Sequence, residues 1–417
     1  MRSVLILLVS AIVCSAQTPR DVRAAAKQGN VATVAGYLNS ASVDTRVEAV
    51  KQLISLGGKD TVDPLIKATK DADPEVQIRA TDGLVNFYLP GYVKQGLGSS
   101  LVRAGATVKA KFSDSNDQTI DTYVTVRPDV VDALGLLVRG GSSIESRANA
   151  CRALGILRGR AALPQLIDAL RSKENAIMYE ALAAIEKIRD PSAGPKITFL
   201  LRDLDDKVQM TAIEAAGVLR DTDGLPTLRS IVASPRNTKA ERSAMAAIAM
   251  MPEMQDRDLF LRYLNSKDEK LRASAAEGLG RIDNPADLAV IDKAWHEDDK
   301  MAPRLAAAFA VVMEGKLDLG EDGAFRYLIN NLNQAAWHET AYAYLAEAAL
   351  RKPVLEALYT QLDSGTRDEK IYLSRVLSVS GNGTAVPYLE KMSRDNDAEV
   401  AKEGLRALRS LRARLGI

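Results

Sequence analysis

A period of 31 residues constrains this chain more than any other feature of its sequence. The stretch Arg147 to Leu157, Arg-Ala-Asn-Ala-Cys-Arg-Ala-Leu-Gly-Ile-Leu, sets Ala150, Ala153, Leu154 and Leu157 on one apolar stripe at helical spacing. Gly155, Glu186 and Gly217 recur in one register at intervals of 31, and Ala249 and Gly280 continue it within one residue. A period of that length with two helices per unit requires stacking, because one unit cannot bury its apolar face alone. The spacing predicts an all-α, right-handed α-solenoid of about ten two-helix repeats.

Length alone would otherwise be a difficulty. A compact core stops growing at roughly 250–300 residues, whereas a repeat array adds units without limit, so one solenoid accommodates all 417 residues. The 55 Lys and Arg nearly cancel the 54 Asp and Glu, which leaves no global field to draw in nucleic acid or an anionic membrane. Electrostatic recognition is therefore expected to be local.

Along the chain, residues 17–43 read as a degenerate N-terminal capping unit and residues 44–417 as the solenoid proper. Asp44 to Asp71 is the first clear repeat. Its second helix carries Pro64 in the opening turn, and Pro164, Pro195, Pro226 and Pro387 recur at the corresponding place, where a missing N–H costs no hydrogen bond. The turns between repeats place Asp73, Asp205, Asp268 and Asp397 where the next helix begins, as N-caps that also complement the helix dipole. Asp397 to Leu415 closes the array as a single helix.

One insertion interrupts the second repeat, at residues 90–128. Its first helix, Asp73 to Leu89, finds a matching second helix only at Asp129 to Arg139. A structureless segment of that length is uncommon inside a compact array. Leu97 to Phe112 has the pattern of an amphipathic helix bearing Arg103, Lys109 and Lys111, and Thr119 to Val126 alternates as a strand does. Asp114, Asn116, Asp117 and Asp121 form a loose acidic run without the glycine and closing glutamate of a calcium loop, and are read as a solvated turn.

The Ala-x-x-Ala-Leu-Gly core, the acidic turn with a nearby arginine (Arg147, Arg272) and the proline-led second helix resemble HEAT repeats of the bacterial PBS-lyase HEAT-like type. The resemblance covers residues 44–417 apart from the insertion, and it implies a scaffold more clearly than a function. Bilin lyases share this repeat subtype, yet no motif here marks a bilin site. Both histidines of the chain stand in one tripeptide, Trp295-His296-Glu297 and Trp337-His338-Glu339. The second resembles a metal-binding His-Glu pair of deoxyhypusine hydroxylase, a di-iron HEAT enzyme whose family uses four such pairs; this chain has two, 42 residues apart.

No phosphate-binding loop, nucleophile elbow or zinc-spaced set is present. The chain is therefore expected to be non-enzymatic, with no cofactor, no catalytic residue and no metal. Arg229, Arg262 and Lys293 occupy equivalent places in second helices and are expected to line the concave face, as second helices do in HEAT arrays. With Arg103, Lys109 and Lys111 of the insertion they are the candidate partner-binding residues, fitted to a protein or acidic peptide. The alternatives are a metal-dependent enzyme on the His-Glu pairs and a membrane-surface adaptor through Leu101, Val108 and Phe112.

Met1 to Ala16 reads as a signal peptide: Arg2, an apolar core from Val4 to Val13 and the small-residue site Cys14-Ser15-Ala16. The expected destination is periplasmic or extracellular, without lipid anchoring at Cys14, because Val13 is a poor neighbour for it. After cleavage Cys151 would be the only cysteine, so no internal disulfide can form, and it is expected in the core.

Overall fold

The computed structural model describes residues 18–93 and 118–417, all helix, turn and loop with no strand among them. The segment expected to be a signal peptide, Arg103, Lys109, Lys111 and the predicted amphipathic helix lie outside the described residues. Two compact units result. One comprises the described residues up to Gln118 with Arg127–Leu157; the other comprises Thr119–Val126 with Arg158–Ile417.

The first unit contains α1 (Pro19–Lys27), α2 (Val31–Gly36), α3 (Val43–Leu56), α4 (Val62–Ala68), α5 (Pro74–Tyr88), α6 (Pro128–Gly140) and α7 (Ile144–Ile156). Helices α1, α3, α5 and α7 pack side by side, and α4 and α6 lie against α5 and α7. Thr18 opens α1 with a reciprocal capping box to Asp21. The Asn149 side-chain amide donates to the Asp82 carboxylate at 3.0 Å, which ties α7 to α5 through a buried polar pair. Cys151 is fully buried, as its place on the apolar side of α7 predicts.

The second unit runs through α8 (Leu163–Ala169), α9 (Asn175–Ile188), α10 (Gly194–Ile197), α11 (Asp206–Leu219), α12 (Leu225–Ala233), α13 (Thr238–Met250), α14 (Arg257–Tyr263) and α15 (Glu269–Ile282). It continues with α16 (Leu288–Glu297), α17 (Met301–Met313), α18 (Ala324–Asn330), α19 (His338–Ala348), α20 (Lys352–Ser364), α21 (Arg367–Ser380), α22 (Val386–Met392) and α23 (Ala398–Leu415). The acidic turns behave as their position requires. Asp73 in the first unit, and Asp205, Asp268 and Asp397 in the second, each accept two backbone N–H groups of the following helix.

Within this unit the first helices α9, α11, α13, α15, α17, α19, α21 and α23 form one closely packed row, whereas the second helices touch one another sparsely. Close approach follows from small residues. A Cβ on Gly280 would stand 2.6 Å from the Ala310 Cα, so α15 and α17 meet backbone to backbone there. Side chains two helices apart in that row still bond each other, as Arg281 of α15 does with Glu347 of α19, which puts the row on the inside of the bend there. First helices therefore line the inner side of this unit, which reverses the expectation that second helices do so.

Thr119–Val126 is not a strand. It makes a turn at Thr122–Tyr123, because no neighbouring strand offers it a ladder and side chains hold it instead. Ile120 is buried, and Asp121 accepts from the Arg406 guanidinium Nε at 2.9 Å and from the Tyr123 hydroxyl at 2.9 Å.

Arginine clamps join successive repeats. Arg272 chelates Asp298 at 2.6 and 3.0 Å, and Arg242 donates to Asp268 at 2.7 Å. Near the starts of the second helices, the buried carboxylates Asp190, Asp256 and Asp287 take Arg160, Arg229 and Arg257 from the repeat before. Asp221 stands one period after Asp190 and breaks the series. No arginine among the described residues reaches it; Thr198 donates to one oxygen at 2.8 Å, and the other, buried, has no hydrogen-bond partner among them.

The two carboxyls consequently shift in opposite directions. Bonds from Ser192, helped by Arg160, hold Asp190 below the ordinary aspartate value, while burial lifts Asp221 above it. A lowered folded-state pKa adds stability that is present at neutral pH and lost in acid; a raised one means stability falls as pH climbs through it. Asp190→Asn is thus expected to lower the melting temperature at pH 7 and Asp221→Asn to raise it, as differential scanning fluorimetry of both variants would test.

Candidate functional site

Each first helix of the second unit turns one stripe of side chains to the inner side. Between α15 and α19 these stripes meet. Arg281 on α15 donates through Nε and Nη2 to both carboxylate oxygens of Glu347 on α19, each at 2.8 Å, and through Nη1 to Glu277 at 2.9 Å and the Ala249 carbonyl at 2.8 Å. The Tyr344 hydroxyl donates to Glu277 at 2.6 Å. Phe309 of α17 lies beneath them, with the Tyr344 ring stacked at 4.7 Å and the Arg281 guanidinium 5.2 Å from its centre. Burial opposes the charge on Arg281, yet bonds to Glu347 and the charges of both glutamates outweigh it and raise its pKa. Here the inner side is filled.

Elsewhere it stays open. Tyr342 of α19 is half-buried, and no hydrogen bond engages its hydroxyl among the described residues. Burial raises its pKa, and the charges it senses come from Arg375, Glu339, Arg189 and Glu403, carried on or beside α21, α19, α9 and α23. The Tyr372 ring of α21 stands beside it, ring centres 6.3 Å apart. Glu214 of α11 is exposed to solvent, yet surrounding protein raises its carboxyl pKa, and no ion pair to it is found among the described residues. Such groups can hold a polar ligand and exchange a proton with it.

The same inner edge carries a row of arginines. Arg158, Arg189 and Arg220 follow the ends of α7, α9 and α11 at intervals of 31 residues, all exposed. All three adopt the left-handed backbone conformation, with φ of 49°, 55° and 54°. A side chain in that conformation costs roughly 1–2 kcal/mol, which glycine avoids. Arg158 donates to the Thr119 hydroxyl at 3.3 Å, and its pKa is lowered by burial and by the Arg189 charge, against the pull of Asp121. Arg220 approaches Glu347 no closer than 3.9 Å, and no ion pair is found for Arg189 among the described residues.

Of the residues singled out from sequence, Arg229 is committed to structure: it pairs with Asp256 at 2.7 Å and Glu253 at 2.6 Å. Arg262 lies 5.5 Å over the Tyr263 ring, and Lys293 is 3.8 Å from Glu297 on its own helix. All three belong to second helices, away from the inner row. His296 bonds the Asp292 carbonyl one turn back at 2.9 Å, while His338 stacks on Tyr372 at 4.7 Å. The described residues hold no cluster of three or more potential metal ligands. None of their helices is long and apolar enough to cross a membrane. The arginine row was visible as Leu157-Arg158, Ile188-Arg189 and Leu219-Arg220, the last apolar position of each first helix followed by arginine at one period. What hid it was its place in a turn, where a charged residue looks unremarkable.

Residues 131–215 match the family described as HEAT repeats. A search of characterised proteins relates the chain to phycocyanobilin lyase subunit alpha of Nostoc sp. strain PCC 7120, 27% identical over 184 residues that span 41% of this chain and 65% of that protein. Among solved structures, the complex of CpcE and CpcF of phycocyanin lyase from Nostoc sp. PCC7120 aligns with a TM-score of 0.38 and 20% identity, over 65% of this chain and 93% of that one. An engineered protein aligns with a TM-score of 0.37 and 18% identity, over 92% and 98%. The chain is an all-helical α-solenoid that matches HEAT repeats over residues 131–215 and is similar over 184 residues to a bilin lyase subunit. The expectation that it is not an enzyme is corrected by this relative, which is a subunit of a lyase.

Proposed function

We propose that this chain is a lyase-type repeat subunit whose second unit holds an elongated, acidic ligand along its inner row for reaction in the presence of a protein partner. The observation that carries this reading is Tyr342 on the row of first helices, half-buried, with no hydrogen bond to its hydroxyl among the described residues and the Tyr372 ring 6.3 Å away. Homology to a phycocyanobilin lyase subunit supports the reaction class, and the word subunit in that relative's name supports a partner. Because the match spans 65% of the relative, its whole activity is not transferred here.

The chemistry follows from the groups present. A lyase adds a group across a double bond, with a proton delivered to the other carbon, or expels that group to re-form the double bond as the proton is taken away. Tyr342 supplies a hydroxyl without a competing partner, and Glu214 supplies a carboxyl that burial holds closer to neutrality. Arg375, 3.2 Å from Glu403 and over the Tyr372 ring, would exchange that pair for an acidic group of the ligand beside the tyrosine.

The test is co-elution of phycocyanobilin with the purified chain on size exclusion, followed by its visible absorbance. The expected result is a bound chromophore whose affinity falls about tenfold in Tyr342→Ala, the loss of an aromatic contact with its hydrogen bond. Absence of chromophore from the protein peak at micromolar concentrations would overturn the proposal.

A further inference from the structure

The three left-handed arginines call for a reason, since strain at a repeated position persists only when something requires the side chain. The turn does not require it. Asp283 occupies the corresponding place after α15, also in the left-handed conformation at φ 58°, and Met251 holds it after α13. Nor does the helix dipole, which favours a cation at a helix end but tolerates an aspartate there in α15. Stability gives little account of them either: Arg189 makes no ion pair among the described residues, Arg220 comes no closer than 3.9 Å to Glu347, and Arg158 reaches the Thr119 hydroxyl at 3.3 Å against the opposing charge of Arg189.

The structure also shows what this edge accepts. The turn segment Thr119–Val126 lies at its end, with the Thr119 hydroxyl on Arg158 and the Asp121 carboxylate on Arg406. Burial would raise the Asp121 pKa, but bonds from Arg406 and Tyr123 and the charges of Arg406 and Arg158 outweigh it and keep the carboxylate ionised. An irregular stretch of polypeptide bearing an acid is already seated at one end. Beyond it, Arg189 and Arg220 continue the row at the helix-to-helix spacing of about 10 Å.

We propose that Arg158, Arg189 and Arg220 form a docking row for an extended acidic peptide segment of a partner protein, continuing the seat already occupied by Asp121. The inference rests on the reading of the chain as one subunit of an assembly, and it names the chemistry of the partner. In an extended peptide the side chains on one face recur at every second residue, about 7 Å apart, so glutamates on that face offer a carboxylate within reach of each arginine in a row spaced about 10 Å. Guanidinium groups suit this task because they chelate carboxylates in a fixed plane.

The probe is a fluorescein-labelled decapeptide of alternating glutamate and serine, titrated with the full chain at low salt and read by fluorescence anisotropy, with a glutamine-serine peptide as control. The glutamate peptide is expected to bind, the control is not, and the affinity is expected to fall as salt rises. Arg189→Gly and Arg220→Gly are each expected to weaken binding about fivefold, as for an exposed ion pair, while the melting temperature stays at or above that of the parent because glycine relieves the backbone. A structural role would lower the melting temperature instead and would overturn the proposal. So would equal binding by the parent and the triple glycine variant, or no binding by the parent. Phycocyanobilin co-elution is scored on the same proteins: bilin retained with no peptide binding removes the docking row and leaves the lyase reading, whereas peptide bound without bilin does the reverse.

Discussion

Glu347→Ala is expected to destabilise the second unit by about 3–5 kcal/mol, because it strands a buried guanidinium. Arg281 keeps only 11% of its side-chain surface exposed and spends two of its hydrogen bonds on Glu347. Its remaining partners, Glu277 and the Ala249 carbonyl, cannot replace that chelating pair. Glu277 is already shared with the Tyr344 hydroxyl. Removing both charges is a different matter, since a buried ion pair replaced by well-packed apolar groups is often neutral or better. The double variant Arg281→Met with Glu347→Leu is therefore expected to recover most of the loss. Urea titrations of the parent, both single variants and the double variant would measure this. If Glu347→Ala alone proved no worse than the double variant, the pair would not be the fastener between α15 and α19 described here.

This fastener also shows where reading the sequence reached its limit. Arg281 and Glu347 lie two repeats apart, and the 31-residue period predicts neighbours one repeat apart. The period made the helices legible, along with the prolines that open the second helices and the aspartates that cap the first, because each depends on local backbone chemistry. Which row faces inward depends on how closely consecutive helices approach, and that follows from packing summed over many side chains. Arg229 illustrates the consequence. Its spacing from Arg262 suggested an exposed ladder, whereas the buried Asp256 brought to it by the next repeat makes it a clamp. Arg158, Arg189 and Arg220 are the opposite case: their spacing was plain, and only the left-handed backbone marks them as unusual.

The glycine of the founding pattern allows the packing to be tested at two equivalent places with different outcomes. A Cβ on Gly280 would come within 2.6 Å of the Ala310 Cα and 2.7 Å of its Cβ, both on the rigid neighbouring helix α17. A Cβ on Gly217 would meet the Ala247 Cα at 3.0 Å and the Met250 sulfur at 3.0 Å, of which the sulfur ends a flexible side chain. Alanine in a helix interior otherwise gains about 1 kcal/mol over glycine. At Gly280 the backbones must separate, and overpacking of this kind costs about 1–3 kcal/mol beyond that gain. Gly280→Ala is thus expected to destabilise the unit clearly. At Gly217 a shift of a few tenths of an ångström and a new Met250 rotamer suffice, so Gly217→Ala is expected to fall near zero. Denaturant titrations of the two variants side by side decide the point, because helix propensity is common to both and only the approach of the next first helix differs. Equal effects at the two sites would mean that the first helices are not packed as closely at Gly280 as an inner row demands.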